Sequence, residues 1–402
     1  MRVLVVGSGA REHALAWRIA QSSGLTELHA APGNPGIAML GACHPVRADD
    51  REGLLGLCST LAIDLVLIGP EAPLVAGVGD DLRHAGVAVF GPGAGAARIE
   101  GSKRYAKEVL ASAGVPTAPT LPVARPPCVV KVDGLAAGKG VFVCRSSEEV
   151  DSALRSATAI GGPLVIEELL EGEEVSLFAL SDGRDVVPFG AAQDFKRVGE
   201  GDVGPNTGGM GAYSPVAWLG DADALVNDVH RPVIEELARR GTPFVGCLFA
   251  GLMVTADGPR VLEFNARFGD PETQVLMPRV EGDLLEALTA AATGELAGVE
   301  ISIGGDAAVT VVLAAPGYPD RSDYSGVAID GVAAAEDLGA LVFHGATAQR
   351  DGQLVTNGGR ILSVTALGDD VLQARDRAYA AVDRVAFDGA RFRRDIAAVA
   401  GG

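Results

Sequence analysis

The chain has 402 residues, more than one hydrophobic core organises, which points to about two to four domains. Hydrophobic residues make up 48% and charged residues 21%, an ordinary balance for a soluble globular protein. With 33 basic and 52 acidic residues the formal charge is −19. A field of that sign repels nucleic acid and anionic lipid, so any phosphorylated ligand must be held by local Lys, Arg and backbone N–H groups.

The five cysteines, Cys43, Cys58, Cys128, Cys144 and Cys247, are scattered without a CxxC pair, the pattern expected of reduced thiols in a cytoplasmic protein. Residues 1–7 read as a strand running into a glycine turn, too short for a signal peptide. No apolar stretch reaches membrane-spanning length.

In chain order, residues 3–6, 28–31, 65–68 and 87–90 read as buried strands, with helices expected at 11–22, 52–61 and 75–85. This alternation predicts a doubly wound parallel sheet with ligands at the carboxyl ends of its strands. Those ends carry Gly7-Ser8-Gly9-Ala10-Arg11-Glu12-His13, Pro32-Gly33-Asn34, Gly69-Pro70-Glu71 and Gly91-Pro92-Gly93. The first loop is a poor dinucleotide fingerprint. Its third glycine position holds Glu12, and the second strand ends in Ala31-Pro32 with no carboxylate for a ribose. It suits an anion at a helix N-terminus, with Arg11 and His13 adding charge and a donor.

A Gly/Ala-rich connector is expected at 91–97 and a helix at 103–113. The proline-rich stretch 116–127 cannot be helix interior. Strands at 128–132 and 141–144 flank a glycine-rich loop, and a helix at 147–157 and a strand at 164–167 complete a small α+β unit. Residues 174–305 read as a larger mixed unit with strands at 175–180, 247–255 and 260–264. The remainder, 306–402, reads as another α+β unit with a helix near 369–386.

Four segments carry chemistry. Lys131-Val132-Asp133-Gly134-Leu135-Ala136-Ala137-Gly138-Lys139-Gly140 is a hairpin whose N–H groups suit a polyphosphate, with Lys131 in the preceding strand and Lys139 in the loop. It is not a Walker A loop, since the glycine spacing is one short and Gly140 stands where Ser or Thr binds magnesium. Glu167-Glu168-Leu169-Leu170, before Gly172-Glu173-Glu174, can offer backbone groups to adenine and a carboxylate to ribose, although charges after a strand are usually solvated. Gln193-Asp194-Phe195-Lys196-Arg197 and Gly204-Pro205-Asn206-Thr207-Gly208-Gly209-Met210-Gly211 pair fixed charge with a glycine loop of the kind that approaches ligands. In Glu263-Phe264-Asn265-Ala266-Arg267-Phe268-Gly269-Asp270-Pro271-Glu272, residues Glu263, Asn265 and Arg267 alternate on one strand face. The first two are hard oxygen ligands suited to Mg²⁺ on nucleotide phosphates, and Arg267 can hold a phosphoryl group or a carboxylate. Asp257-Gly258 fits a hairpin turn leading into that strand. The six histidines form no metal cluster in sequence, and no GxSxG elbow appears.

Together these segments resemble the phosphoribosylamine–glycine ligase (glycinamide ribonucleotide synthetase) family of the ATP-grasp superfamily. The likeness runs nearly the whole chain, from the opening loop through Gly69-Pro70-Glu71-Ala72-Pro73-Leu74 to Thr356-Asn357-Gly358-Gly359-Arg360. It implies a doubly wound N-terminal domain over 1–101, an ATP-grasp core over 102–118 and 173–305, a lid subdomain over 119–172, and a C-terminal α+β domain over 306–402. It further implies that Lys103, Lys131 and Lys139 meet ATP phosphates, that backbone groups of Glu168 and Leu170 bind adenine, and that Glu174 binds ribose. Lys196 and Asn206 match further nucleotide positions, and Glu263 and Asn265 match ligands of Mg²⁺ or Mn²⁺. Phosphoribosylamine is expected against Gly9, Arg11, Asn34 and Glu71. Asp194 and Arg267, with Lys196, are the candidates for the glycine and acyl-phosphate chemistry. Partners are then small molecules, with no nucleic acid or membrane, and the chain is a monomer or weak homodimer. Two departures stand out: the opening loop reads Gly-Ser-Gly-Ala where members commonly have Gly-Asn-Gly-Gly, and 117–127 is a short proline-rich bridge where members usually carry a helix. The rival readings are another ATP-grasp ligase, such as a carboxylase, and a catalytically silent nucleotide-binding regulator.

Overall fold

The computed structural model describes residues 1–135 and 140–398. Strands β1 (Arg2–Gly7), β2 (Glu27–Pro32), β3 (Ala42–Cys43), β4 (Leu65–Ile68) and β5 (Ala88–Phe90) form a parallel sheet in the order β3-β2-β1-β4-β5. Val3, Leu4, Val5 and Val6 are all fully buried, as a strand covered on both faces requires. Because β1 has β2 on one side and β4 on the other, a crevice opens above their carboxyl ends. Helix α1 (Ala10–Ile19) starts from the β1 loop and α2 (Arg51–Leu61) precedes β4. Ala10 is the first residue of a right-handed helix, so the substitution of alanine for glycine in this loop meets no steric conflict.

Two expectations change here. The helix expected at 75–85 is a pair, α3 (Glu71–Ala76) and α4 (Val78–His84), broken at Gly77, whose φ of +87° only glycine adopts freely. The expected connector at 91–97 is largely helical: α5 (Ala94–Gly101) is followed at once by α6 (Lys103–Ala113). Its small residues serve close packing rather than flexibility. A Cβ on Gly95 would lie 2.6 Å from the Thr242 side chain.

Strands β6 (Cys128–Val132), β7 (Val141–Cys144) and β8 (Leu164–Glu168) make a small antiparallel sheet, backed by α7 (Ser147–Ile160) over a separate core that includes Val130, Cys144, Val150 and Ala157. The proline-rich bridge before it runs extended along both neighbours. The Leu121 N–H donates to Ile166 O at 2.8 Å, and Pro116 O accepts from the Val261 N–H at 2.9 Å.

The remaining elements are β9 (Glu173–Asp182), β10 (Val186–Asp194), β11 (Arg197–Gly199), β12 (Val203–Asn206), β13 (Gly211–Ser214), α8 (Ala222–Arg239), β14 (Val245–Thr255) and β15 (Gly258–Asn265). They are followed by α9 (Thr273–Leu276), β16 (Val280–Glu281), α10 (Leu284–Thr293), β17 (Ser302–Ile303) and β18 (Ala307–Ala314). The last are β19 (Ser325–Ala328), α11 (Val332–Glu336), β20 (Leu341–His344), β21 (Thr347–Arg350), β22 (Gln353–Asn357), β23 (Arg360–Gly368) and α12 (Val371–Val382). One eight-stranded sheet, in the order β15-β14-β9-β10-β13-β18-β23-β20, runs through most of this region. The stretch after residue 306 therefore shares a sheet with the central unit, joined where β13 pairs with β18 from Gly211↔Val311 to Ser214↔Ala308.

At the edge of that sheet, β15 carries a bulge: Leu252 faces Val261 while Gly251 faces Glu263, leaving Leu262 as the extra residue. A bulge re-aims the residues after it. Val261 and Phe264 are buried, whereas Glu263 and Asn265 face an open cavity. The turn into β15 has Thr255 opposite Gly258, with Gly258 at φ +103°.

Candidate active site

A cavity of about 900 Å³ lies between the five-stranded sheet, the small antiparallel sheet and the edge of the large one. Of the residues singled out in the sequence, it brings together Gly9, Arg11, Glu71, Lys103, Lys131, Asp194, Lys196, Asn206, Glu263, Asn265 and Arg267. Asn34, Glu168, Leu170 and Glu174 are not on its wall, and Lys139 lies outside the described residues.

One wall is cationic. Lys103 opens α6 after the Ser102 cap and donates to Gly134 O at 3.1 Å. Burial lowers its pKa, with Glu263 opposing. Lys131 donates to Leu262 O at 2.9 Å and pairs with Glu167 Oε2 at 2.6 Å. The other oxygen of Glu167 takes Lys107 at 2.7 Å. Glu167 was expected to be solvated, yet it is 2% exposed, because alternation along β8 turns it inward between two ammonium groups. Lys107 was not anticipated. The signal was its place four residues after Lys103, on the same helix face.

Opposite these lysines stands Glu263. Burial raises its pKa, but Lys196, Lys131 and Lys103 outweigh that and hold it below the ordinary carboxylate value. Lys196 lies 3.7 Å from Glu263 Oε1 and also bonds Glu174, so Glu174 touches the site through Lys196. The Asn265 amide makes no hydrogen bond among the described residues. A carboxylate held ionised beside an uncommitted amide oxygen is a donor set that fits a hard divalent ion. Among the described residues no three His, Cys, Asp or Glu side chains form a closed metal cage, so further ligands of such an ion have to come from substrate and water.

Arg267 joins this wall to the crevice of the five-stranded sheet. Its Nε lies 3.2 Å from Glu71 Oε2 and its Nη2 lies 3.2 Å from Glu100 Oε1. Burial favours a neutral Arg267, but Glu100 and Glu71 more than offset it and raise its pKa. Glu100 sits on α5, the helix hidden in the Gly/Ala-rich stretch, and for that reason was missed. Asp194 and Glu272 are pushed upward by burial, against the pull of Lys196. Arg360, from β23, pairs with Asp270 at 3.0 Å and bonds the Gly208 carbonyl, bringing the C-terminal region to the cavity.

Four expectations about loops and side chains need correction. The Gly9 N–H is donated to Glu12 Oε2 at 2.6 Å, the carboxylate half of a capping box, rather than left open for an anion. The same carboxylate explains the nearby glycines, since a Cβ on Gly69 would lie 2.1 Å from Glu12 Oε1. Asn34 is an internal clamp: its amide donates to Ser8 O at 2.9 Å and His344 O at 2.7 Å, and its oxygen accepts from the Ile37 N–H at 2.9 Å. His13 is off the cavity wall. It accepts a hydrogen bond from the His344 N–H at 2.9 Å, and burial lowers its pKa to about 3, so it carries no charge for a ligand. The glycines at 208–211 likewise answer to protein neighbours, since a Cβ on Gly209 would meet Pro271 at 2.3 Å.

A cationic wall on a hairpin sheet, facing a carboxylate–amide pair on a β-strand edge, defines an ATP-grasp ligase. Models described as the N domain, the ATP-grasp (A) domain and the C domain of phosphoribosylglycinamide synthetase match residues 1–100, 101–273 and 308–399. The phosphoribosylamine–glycine ligase of Streptomyces coelicolor is 50% identical over 100% of both chains. That of Mycobacterium leprae is 45% identical, over 98% of this chain and 97% of its own. The crystal structure of phosphoribosylamine–glycine ligase from Thermotoga maritima superposes with a TM-score of 0.81 at 33% identity, covering 98% of this chain and 100% of that one. The biotin carboxylase domain of Hydrogenobacter thermophilus 2-oxoglutarate carboxylase shares the fold at a TM-score of 0.69 and 18% identity, covering 97% and 91%. The chain belongs to the phosphoribosylamine–glycine ligase family, carbon–nitrogen bond-forming ligases of purine biosynthesis that use ATP.

Proposed function

We propose that the protein joins glycine to 5-phosphoribosylamine through glycyl phosphate, giving glycinamide ribonucleotide, ADP and phosphate. The observation that carries this is the single cavity linking the Lys131–Glu263 wall to the crevice at Gly9, Arg11 and Glu71, with Arg267 between them. In the first step a glycine carboxylate oxygen attacks the γ-phosphorus of ATP and ADP leaves. In the second the amine attacks the acyl carbon, phosphate leaves, and the amine proton is released. A free carboxylate does not acylate an amine at neutral pH, which is why the γ-phosphoryl group is spent.

Lys103, Lys131 and Lys196 neutralise nucleotide phosphates, with Asn206 beside them and Lys139 in the phosphate loop. Glu168 and Leu170 offer backbone groups to adenine, and Glu174 orients Lys196 and the ribose. Glu263 and Asn265 would hold Mg²⁺ or Mn²⁺, which would supply charge neutralisation at the phosphates when bound. Arg267 binds the glycine carboxylate and then the acyl phosphate, held in place by Glu71 and Glu100. Asp194, whose pKa burial raises against the pull of Lys196, repels that anion less than an ordinary carboxylate. The division into 1–101, 102–118 with 173–305, 119–172 and 306–402 belongs to this reading. So do a cytoplasmic site of action and a monomer or weak homodimer.

The test is ADP formation with phosphoribosylamine and glycine omitted in turn. ADP release that requires glycine, with glycinamide ribonucleotide appearing in equal amount, is the expected result. ADP release driven by bicarbonate and indifferent to glycine sinks the proposal.

A further inference from the structure

The ribbon β11–β12 carries two cavity residues at its base, Lys196 just before it and Asn206 at its end. Yet none of residues 197–206 is buried, and Val203 is 60% exposed. A two-stranded ribbon with only Val198 packed against the core is marginal in water, so most of its order has to come from elsewhere.

It comes from the segment after α12. Arg393 is 2% exposed. Its Nη1 donates to Arg197 O at 3.0 Å and to Asp202 Oδ1 at 2.7 Å. Its Nε and Nη2 form a fork on Asp395, both at 2.7 Å. Asp395 Oδ2 in turn accepts from the Gly201 N–H at 2.8 Å, and Glu200 Oε1 accepts from the Arg394 N–H at 3.0 Å. The guanidinium carbon lies 5.1 Å over the Phe195 ring. Arg393 thus touches the residue before Lys196 and the residue after it, and grips the ribbon at its turn.

We propose that Arg393 is a positioning residue for the ATP-dependent step, clamping the β11–β12 ribbon so that Lys196 and Asn206 stay on the cavity wall. The inference rests on the function proposed above. Lys196 has Glu174 and Glu263 as partners, its carbonyl accepts from the Thr207 N–H at 2.7 Å, and Arg393 holds the backbone beside it through Arg197 O. Bidentate guanidinium geometry makes the clamp specific to arginine.

The experiment compares Arg393→Gln, Arg393→Lys and Asp202→Asn with the wild-type full chain. The Asp202 side chain is 67% exposed, so its change opens no buried hole and serves if Arg393→Gln fails to fold. Steady-state kinetics in ATP and glycine are read beside hydrogen exchange across the chain. Arg393→Gln is expected to raise KM for ATP about tenfold, and Asp202→Asn about threefold, in the range of lost charge-assisted bonds. Exchange in 197–206 should quicken in both, while the five-stranded sheet stays unchanged. Arg393→Lys, which keeps the charge and loses the fork, should fall between. A lower melting temperature with KM and ribbon exchange at wild-type values would show a merely structural role and overturn the proposal. If the wild-type chain releases no ADP with glycine, the functional reading falls. Ribbon exchange and ADP binding by the same variants then still decide whether the clamp exists.

Discussion

Burial alone would raise the Glu263 pKa, and three lysines bring it below the ordinary carboxylate value. That balance makes it a ligand for a divalent ion when a polyanionic nucleotide arrives, and a counter-charge for Lys196 when none is bound. Glu263→Ala is therefore expected to lower turnover at least about a hundredfold, in line with single charge-stabilising groups. Near-normal Mg²⁺-dependent glycine activation by the folded variant would remove Glu263 from the metal site. Glu167 does a different job, holding the half-buried Lys107 and the buried Lys131 at 2.7 and 2.6 Å. Glu167→Gln leaves those charges without their partner and should cost about 3 kcal/mol of stability at pH 7, as for one side of a buried ion pair. Urea unfolding reads this directly. It should also raise KM for ATP, because Lys131 loses its support; unchanged stability and KM together would show the bridge to be incidental.

At the scale of elements, strands 3–6, 65–68 and 141–144 were legible because continuous apolar runs with a glycine at one end leave few alternatives, and 128–132 because its valines follow a proline run. Helix α5 was not, since Gly and Ala suit both a loop and a tightly packed helix, and only the neighbours Thr242 and Val75 decide between them. The bulge at Leu262 was invisible too, although Glu263 and Asn265 were found from their spacing. Hydrogen bonds between distant segments, such as Asn34 to His344 O or Arg360 to Gly208 O, follow from the fold and not from local pattern. The small sheet of β6, β7 and β8 has a separate core and meets the rest through the extended bridge and the Lys107–Glu167–Lys131 link. Few buried contacts cross to it, so segments of 119–172 should exchange amide hydrogens faster than the central sheet without nucleotide. A non-hydrolysable ATP analogue should slow that exchange at least about tenfold if the sheet closes as a lid. Equal protection with and without the analogue would show a fixed wall instead.

At the scale of the whole molecule, three buried histidines set the response to acid. His13 of α1 meets His344 of β20, so the first and last thirds of the chain meet at two imidazoles, one lowered to about 3 and the other to about 4. His230, in α8, is lowered to about 4 and bonds Leu248 O at 3.1 Å. In each case burial is the main cause, and in the unfolded chain the ordinary value is 6.5. Their folded pKa values lie below the unfolded ones, so the unfolded chain binds more protons between about pH 6.5 and 4. Stability from these groups is full above pH 6.5 and is lost as pH falls toward 4. By pH 5 the loss is of order 2 kcal/mol per histidine, a large part of what a domain has to spare. Asp194, Glu100 and Glu272 work the other way, since their raised values favour the folded state in acid. A single substitution separates the two effects. His230→Gln keeps a donor toward Leu248 O but does not titrate. It should cost about 1–2 kcal/mol at pH 8, as a reshaped buried hydrogen bond does, yet lose less stability than wild type between pH 6.5 and 5. Urea midpoints measured across that interval give the two slopes, and parallel slopes would rule out His230 as a source of acid sensitivity.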